Sequence, residues 1–511
     1  MSNNIKHILN TSMSYYSLTM SSFLLVSLNI DAILSELTLH QRRKKLDEMT
    51  KGDGLGGAYA ETLSRVQGQQ RSRSKLGMEV LMWVSHSERP LHVDELCYAL
   101  GVEEGSSDLN IRNIPRIETL LACTLGLVTV EKSSSTVRLI HYTLQEYLSC
   151  NPNLFLKPHA TIAEVCLTYL NFVQVKVISP ILLSVPQSLA FVEYSSCHWG
   201  THAKRETTEG VKLLALKLLD GYHQHISSKI VCLHEMEVWE RLFHPRNNPG
   251  YTGLHCAAYF GCTEITLALL KMKEWDVQAT DLHGNTALTW AARRGHEGVM
   301  RILLERDDVN PNTADKYGQT PLLWAAQNGH EGVVRILLER NDINPNTPDK
   351  SGQTPLLGAA RNGHEGVVRI LLERNDVNPN IPGKYGQTPL LSATQSGHEG
   401  VVRILLELND LNPNTPNKYG ISPLSWAAKY GQEDIVRVLL DRSEVDPNIA
   451  DEYGHTPFSW AVQNGHERIA NLLRGRTNLI PRYTAISQPS EPFSTESSEP
   501  PEHPFKRIRR S

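Results

Sequence analysis

From residue 250 to about residue 475 the alternation of apolar and polar positions repeats with a fixed step of 34 residues, marked by a glycine at Gly250, Gly284, Gly318, Gly352, Gly386, Gly420 and Gly454. Within the unit 318–351, Leu322, Ala325 and Ala326 share one face of a short helical segment. Val333, Val334, Ile336, Leu337 and Leu338 then make a second segment too apolar to be left exposed. Thr320 is placed to cap the first helix, Pro321 occupies its first turn, and Gly329 ends it in the left-handed region. Asn344, Pro345 and Asn346 break the second helix and open a loop to the next unit. The pattern predicts seven helix–turn–helix–loop units, each covered by its neighbours.

T-P-L-L-W-A-A at 320–326, recurring in register, resembles the ankyrin repeat. The copies depart from the family pattern in detail. Its histidine survives only as His255, and Gly253 and Ala287 stand where later copies have proline. The resemblance implies a solenoid that binds proteins through its first helices and loop tips.

Before the array, apolar positions at Met78, Leu81, Met82 and Val84, then Val93, Leu96, Cys97 and Leu100, then Ile117, Leu120 and Leu121, predict three helices. The runs 127–131 and 136–140, joined by Ser133, Ser134 and Ser135, predict a β-hairpin. Three helices and a hairpin form a winged-helix plan. R-L-I-H-Y-T-L-Q-E-Y-L at 138–148 resembles the inositol-deacylase type of winged helix, found after the NACHT nucleotide-binding domain in fungal NACHT–ankyrin proteins. The segment 23–34 resembles the last helices of a NACHT region, and Tyr194, His198, Trp199, Gly200, His202 and Ala203 match the helical connector of that family. The expected architecture is mostly α: a helical NACHT remnant at 1–75, a winged helix at 76–150, an α-helical connector at 151–245, an ankyrin solenoid at 246–475 and a disordered tail at 476–511.

Composition adds exclusions. At 40% hydrophobic, 21% charged and a net charge of −4, this is an ordinary soluble composition with no global basic excess for nucleic acid. The eight cysteines are scattered without a C-x-x-C pair, which reads as reduced thiols in the cytoplasm or nucleus. The runs 23–28 and 177–192 are too short or too interrupted to span a bilayer, and the basic terminus Lys506, Arg507, Arg509 and Arg510 reads as solvated rather than as a nuclear import signal.

Candidate chemistry fails position by position. Gly52, Gly54, Gly56 and Gly57 read as a glycine-rich turn, yet Ala58 and Tyr59 stand where a phosphate loop needs Lys and Ser or Thr. The pairs His296–Glu297, His330–Glu331, His364–Glu365, His398–Glu399 and His466–Glu467 lack the second histidine of a zinc motif, so the histidines read as structural. In related signalling NTPases a winged-helix histidine contacts nucleotide phosphates. The resemblance puts His141 in that position, but with no phosphate loop in this sequence a structural role is expected. No cofactor, metal, small-molecule substrate, membrane or nucleic-acid partner is expected.

The function expected is non-enzymatic recognition or scaffolding of a protein ligand whose identity the sequence does not name, in a truncated relative of NACHT receptors. The alternatives are a signalling NTPase with its nucleotide domain encoded upstream, and an adaptor for ubiquitin ligation. On a helical wheel the positions that vary between copies point away from the core. The expected partner-binding set is therefore Trp290, Arg293, Arg294, Trp324, Gln327, Asn328, Arg361, Asn362, Gln395, Trp426 and Trp460.

Overall fold

A computed structural model describes residues 54–178, 189–235, 250–272 and 275–476, with Thr38 and Gln41. The segment 23–34, most of the apolar run 177–192 and the tail from 477 lie outside the described residues. Among the described residues no helix is long and apolar enough to cross a membrane.

The first unit is a winged helix. Helix α1 (Gly54–Gln67) packs on α2 (Arg71–His86), and the short strand β1 (Leu91–His92) leads into α3 (Val93–Leu100) and α4 (Ile117–Cys123). Strands β2 (Val128–Glu131) and β3 (Thr136–Leu139) form the hairpin, and α5 (Tyr142–Cys150) closes the unit. The sheet is antiparallel in the order β1-β3-β2, with Leu91 opposite Val137 and Val128 opposite Leu139. The glycine-rich turn expected near residue 54 is a correction: a helix begins at Gly54, because Tyr59, Leu63 and Val66 recur at helical spacing and are buried. His141 caps α5, its Nδ1 accepting the Thr143 amide at 3.3 Å and meeting the Thr143 hydroxyl at 2.8 Å.

A helical connector follows, with α6 (Pro158–Leu170), the one-turn α7 (Val173–Lys176), α8 (Val192–Arg205), α9 (Glu209–Leu219) and α10 (Ile226–Glu235). Helix α8 ties both neighbours together. On one side the Tyr194 hydroxyl accepts the Glu88 amide of the winged helix at 3.2 Å and meets His202 Nε2 at 3.0 Å, while His202 Nδ1 lies 2.8 Å from His159 Nδ1. On the other, Trp199 packs edge-on against Phe260 of the first repeat with ring centroids 5.1 Å apart. Gly200 lies so close to Phe260 that a Cβ there would sit 2.1 Å from the ring.

The array is seven helix pairs, from Gly253–Phe260 with Thr263–Met272 to Pro457–Gln463 with Glu467–Arg474. Its inner faces are sealed as expected: Leu322, Ala325, Ala326, Val333, Val334 and Leu337 are buried. The Thr320 hydroxyl accepts the Leu323 amide at 3.2 Å, and Gly329 has φ of +77°.

Three polar ladders fix one unit to the next. At the helical turn His330 Nε2 bonds the Arg293 carbonyl at 3.0 Å, His364 that of Gln327 at 2.9 Å and His398 that of Arg361 at 3.1 Å. At the loop tip the Lys350 amide donates to the Tyr317 carbonyl at 2.9 Å and the Lys384 amide to Ser351 at 2.9 Å. On the outer loop Asn346 Nδ2 donates to the Asp376 carbonyl at 2.6 Å and Asn380 Nδ2 to Asp410 at 2.8 Å.

Two expectations follow. Leu371→Ala, a fully buried truncation in a central unit, should cost about 2–5 kcal/mol in a urea melt. Burial holds the imidazoles of His198 and His225 down to about 4 and that of His202 to about 2, from the usual 6.5. Each is therefore neutral when folded, and below 6.5 the unfolded chain takes up protons the folded chain refuses. Stability from this cluster is complete above pH 6.5 and falls as pH drops towards 4, so the melting temperature should decline through that window and be pH-independent just above it.

Candidate interaction surface of the repeat array

Loops between successive repeats fold back as hairpins, and in all but the one with Gly383 at its tip a single acidic or amide side chain organises the tip. Asp315 Oδ1 accepts the amides of Tyr317 and Gln319, both at 2.8 Å. Asp281, Asp349, Asn417 and Asp451 do the same in their copies. The second carboxylate oxygen reaches inward to the first helix: Trp290 Nε1 bonds Asp281 at 3.0 Å, Trp324 bonds Asp315 at 3.1 Å and Trp460 bonds Asp451 at 2.9 Å. Burial lifts the Asp315 carboxyl above its usual range, against the bonds it accepts.

This corrects the outward reading of the tryptophans. Trp290 is only 5% exposed, and Trp324, Trp426 and Trp460 are half-buried. A helical wheel shows only the helix, whereas the hairpin folds over the tryptophan position from nine residues upstream. Trp426 is the exception in bonding. Asn417 spends its only side-chain oxygen on the backbone and offers a donor besides, so Trp426 stacks on Tyr430 at 4.5 Å instead.

The neighbouring positions lie along the same side of the array. The Arg293 guanidinium sits 4.4 Å from the Trp324 ring of the next repeat, Arg294 lies 4.6 Å from Tyr259, and the Lys429 ammonium is 3.9 Å from Trp460. Between these stacks, Gly358 and Ser392 replace tryptophan, and Gln327, Arg361 and Gln395 are half-buried beside them. Asn362 is spent on the fold, its Nδ2 donating to the Gln327 carbonyl at 3.0 Å. Asn328 is exposed, bonded only to the Trp324 carbonyl of its own helix at 2.9 Å. The expected residues thus form one continuous side, but the tryptophans and Asn362 are partly or wholly structural.

The second helices and outer loops present a different surface. Arg301 pairs with Glu339 at 3.8 Å, Arg335 with Glu373 at 3.6 Å and Arg403 with Glu399 at 2.6 Å. Arg306, Arg340 and Arg374 pair with Asp308, Asp342 and Asp376 at 2.6 to 2.7 Å. Helix-pair units with a shared glycine hairpin and a common inner face are now joined by a sequence match. Family models described as ankyrin repeats match residues 223–315, 254–349, 308–382, 341–417 and 408–479, together just over half of the chain. The chain belongs to the ankyrin-repeat family. A second family, described as the GPI inositol-deacylase winged helix domain, matches residues 64–154. Among solved structures, the crystal structure of the ankyrin repeat protein EF0377 is similar at 25% identity and a TM-score of 0.36, over 39% of this chain and 98% of that one. The comparison with curated proteins gives no match.

Sequence reasoning named the loop tips of the ankyrin array but missed their lysines. Lys316, Lys350, Lys384 and Lys418 stand exposed at one position in four successive tips, followed by Tyr317, Ser351, Tyr385 and Tyr419. The signal was present as K-[YS]-G at four of the seven marker glycines, hidden because a lone loop lysine reads as solvated. Since the tip carboxylate organises both hairpin and helix, Asp315→Ala should destabilise the array by about 1–3 kcal/mol, as expected for orphaned buried donors. Asp315→Asn should cost less, because the amide oxygen keeps the two backbone bonds as Asn417 does, and chemical denaturation compares the two.

Proposed function

We propose that this chain is a non-enzymatic recognition or scaffold protein that binds a protein partner on the side formed by the first helices and hairpins of its ankyrin array. The observation that carries the reading is the contrast between the two sides. Among the described residues the second-helix arginines Arg301, Arg335, Arg403 and Arg437 and the outer-loop arginines Arg306, Arg340, Arg374 and Arg442 pair with carboxylates, Arg369 being the exception, whereas the side chains of Arg361 and Gln395 make no hydrogen bond or ion pair. A surface whose polar groups are satisfied internally gains little from a partner, while half-buried, unengaged polar groups have hydrogen bonds left to give one.

The winged helix and the connector support a finer reading. Their likeness to the modules that accompany NACHT domains suits an intracellular NACHT–ankyrin receptor for non-self, in which the array senses and the winged helix relays. Helix α8, bonded to the winged helix through Tyr194 and packed on the first repeat through Trp199, is a stiff connection fitted to such a relay. Eight free cysteines, seven of them buried, suit the reducing cytoplasm.

The test is paired substitution against a partner identified by proximity labelling. Gln327→Ala with Arg361→Ala should weaken binding at least tenfold, about 1.4 kcal/mol. Arg335→Ala with Arg369→Ala should leave it within twofold. The reverse ranking would place recognition on the second helices and refute the assignment.

A further inference from the structure

The lysines at the hairpin tips form a regular cationic row. Position by position the tips read Leu282, Lys316, Lys350, Lys384, Lys418 and Glu452, so the row is four lysines long and ends in a reversal of charge. Each lysine is held in step by its own backbone: the amides of Lys316, Lys350, Lys384 and Lys418 donate to the carbonyls of His283, Tyr317, Ser351 and Tyr385 at 2.8 to 3.0 Å. Successive lysines are therefore one repeat apart, roughly 8–10 Å, the separation of packed helices. The nearest carboxylates, Asp315 and Asp349, are turned inward onto backbone amides. No carboxylate among the described residues pairs with any of the four lysines, in contrast to Arg301, Arg335, Arg340 and Arg374 of the second helices and outer loops.

A ligand that matches this row carries negative charges about 9 Å apart on one edge. An extended polyproline II segment advances about 3.1 Å per residue with three residues per turn, so acids at every third position meet that requirement. The sequence contains that spacing of acids. Residues 483–503 have no lysine or arginine, and within them Glu496, Glu499 and Glu502 are spaced by three, with Pro500 and Pro501 between the last two. From Arg476, the last described residue, the 20 residues to Glu496 can span up to roughly 65–70 Å, enough to return along the array.

We propose that the lysine row is a docking track for an acidic extended segment, and that its occupant is the chain's own segment 496–502, bound in cis. The proposal rests on the reading of this side as the recognition surface: the tail would lie beside Arg361 and Gln395 and compete there with an acidic stretch of the partner.

Carbodiimide coupling of the full chain tests it, because it joins only ammonium and carboxylate groups already in contact. Digestion and mass spectrometry should show Lys350 and Lys384 linked to Glu496, Glu499 or Glu502. Equal mixing of isotopically light and heavy chains should show those links within one chain. In Lys316→Glu with Lys418→Glu the yield at Lys350 and Lys384 should fall at least fivefold, and in Lys316→Arg with Lys418→Arg it should hold. These are exposed side chains, and an unchanged thermal melt verifies the fold. Four results would overturn the proposal: no links, links unaffected by charge reversal, equal linking of the tail to Lys75 or Lys157, or links only between chains, which would make a second copy the occupant. Failure here with the Arg361 result intact removes the tail and leaves the recognition surface. Tail links with no effect of Gln327→Ala and Arg361→Ala on the partner do the opposite.

Discussion

The structure depends on the fact that no repeat satisfies its own polar groups. The carbonyl at the end of a first helix is bonded by the histidine of the following unit, as His364 bonds Gln327, at every step but the one where Gln432 replaces the histidine, and the tip amide of one unit bonds the tip carbonyl of the unit before, as Lys384 bonds Ser351. The outer-loop asparagine bonds a carbonyl of the next unit, as Asn380 bonds Asp410. These three bonds can all form only if every copy has the same length. The invariant 34-residue step is thus a bonding constraint as much as a packing one. Glycine enters for the same reason. A Cβ at Gly363 would stand 2.6 Å from the ring of His398, so the left-handed glycine that ends one helix also makes room for the histidine that ties on the next.

The constraint extends backward through the stem. The buried motif of α8 gives the first repeat the neighbour it would otherwise lack: Phe260 lies against Trp199 and over Gly200, and Cys262 Sγ reaches the Gly200 carbonyl at 3.3 Å. The connector is therefore the N-terminal cap of the solenoid, and the same helix holds the winged helix through Tyr194. A change of angle at the winged helix has a rigid path to the repeats, since the side chains along it are buried and bonded. At the far end the last helix pair has, among the described residues, a neighbour on one side alone, and Phe458 is half-buried where Leu322, Leu356, Leu390 and Leu424 are buried.

Much of this was legible in the sequence because it is written in local chemistry. The threonine caps, the left-handed glycines, the apolar period of both helices and the β-hairpin of the winged helix all follow from residues within a few positions of one another. What was illegible is what forms at a distance. Strand β1 is two residues long and exists because β3 offers an edge to Leu91 and His92. Helix α1 was masked by its glycines, although Tyr59 is fixed by Thr143 far along the chain, at 2.8 Å between their hydroxyl oxygens. Trp290, Trp324 and Trp460 looked outward on a wheel that omits the hairpin. The tip lysines looked unremarkable singly and become a feature only when the backbone ladder sets them in a row.

The tryptophans also show which way the dependence runs at the recognition surface. Asp349 keeps both of its backbone bonds although Gly358 stands where its tryptophan partner would be, so the hairpin does not need the indole. Where the tip residue is Gly383, the hairpin still closes through the Gly383 amide on the Gln387 carbonyl at 2.9 Å, and the helix carries Ser392 in place of tryptophan. The backbone ladder therefore comes first and the Asp–Trp bond is an addition to it. Positions that are additions can change without loss of the fold. In this array they are concentrated in the central repeats, where Gly358 and Ser392 open the surface between the stack on Trp324 and the ring of Trp426. A solenoid held by its backbone ladders and histidines is free to vary at that place at little cost in stability.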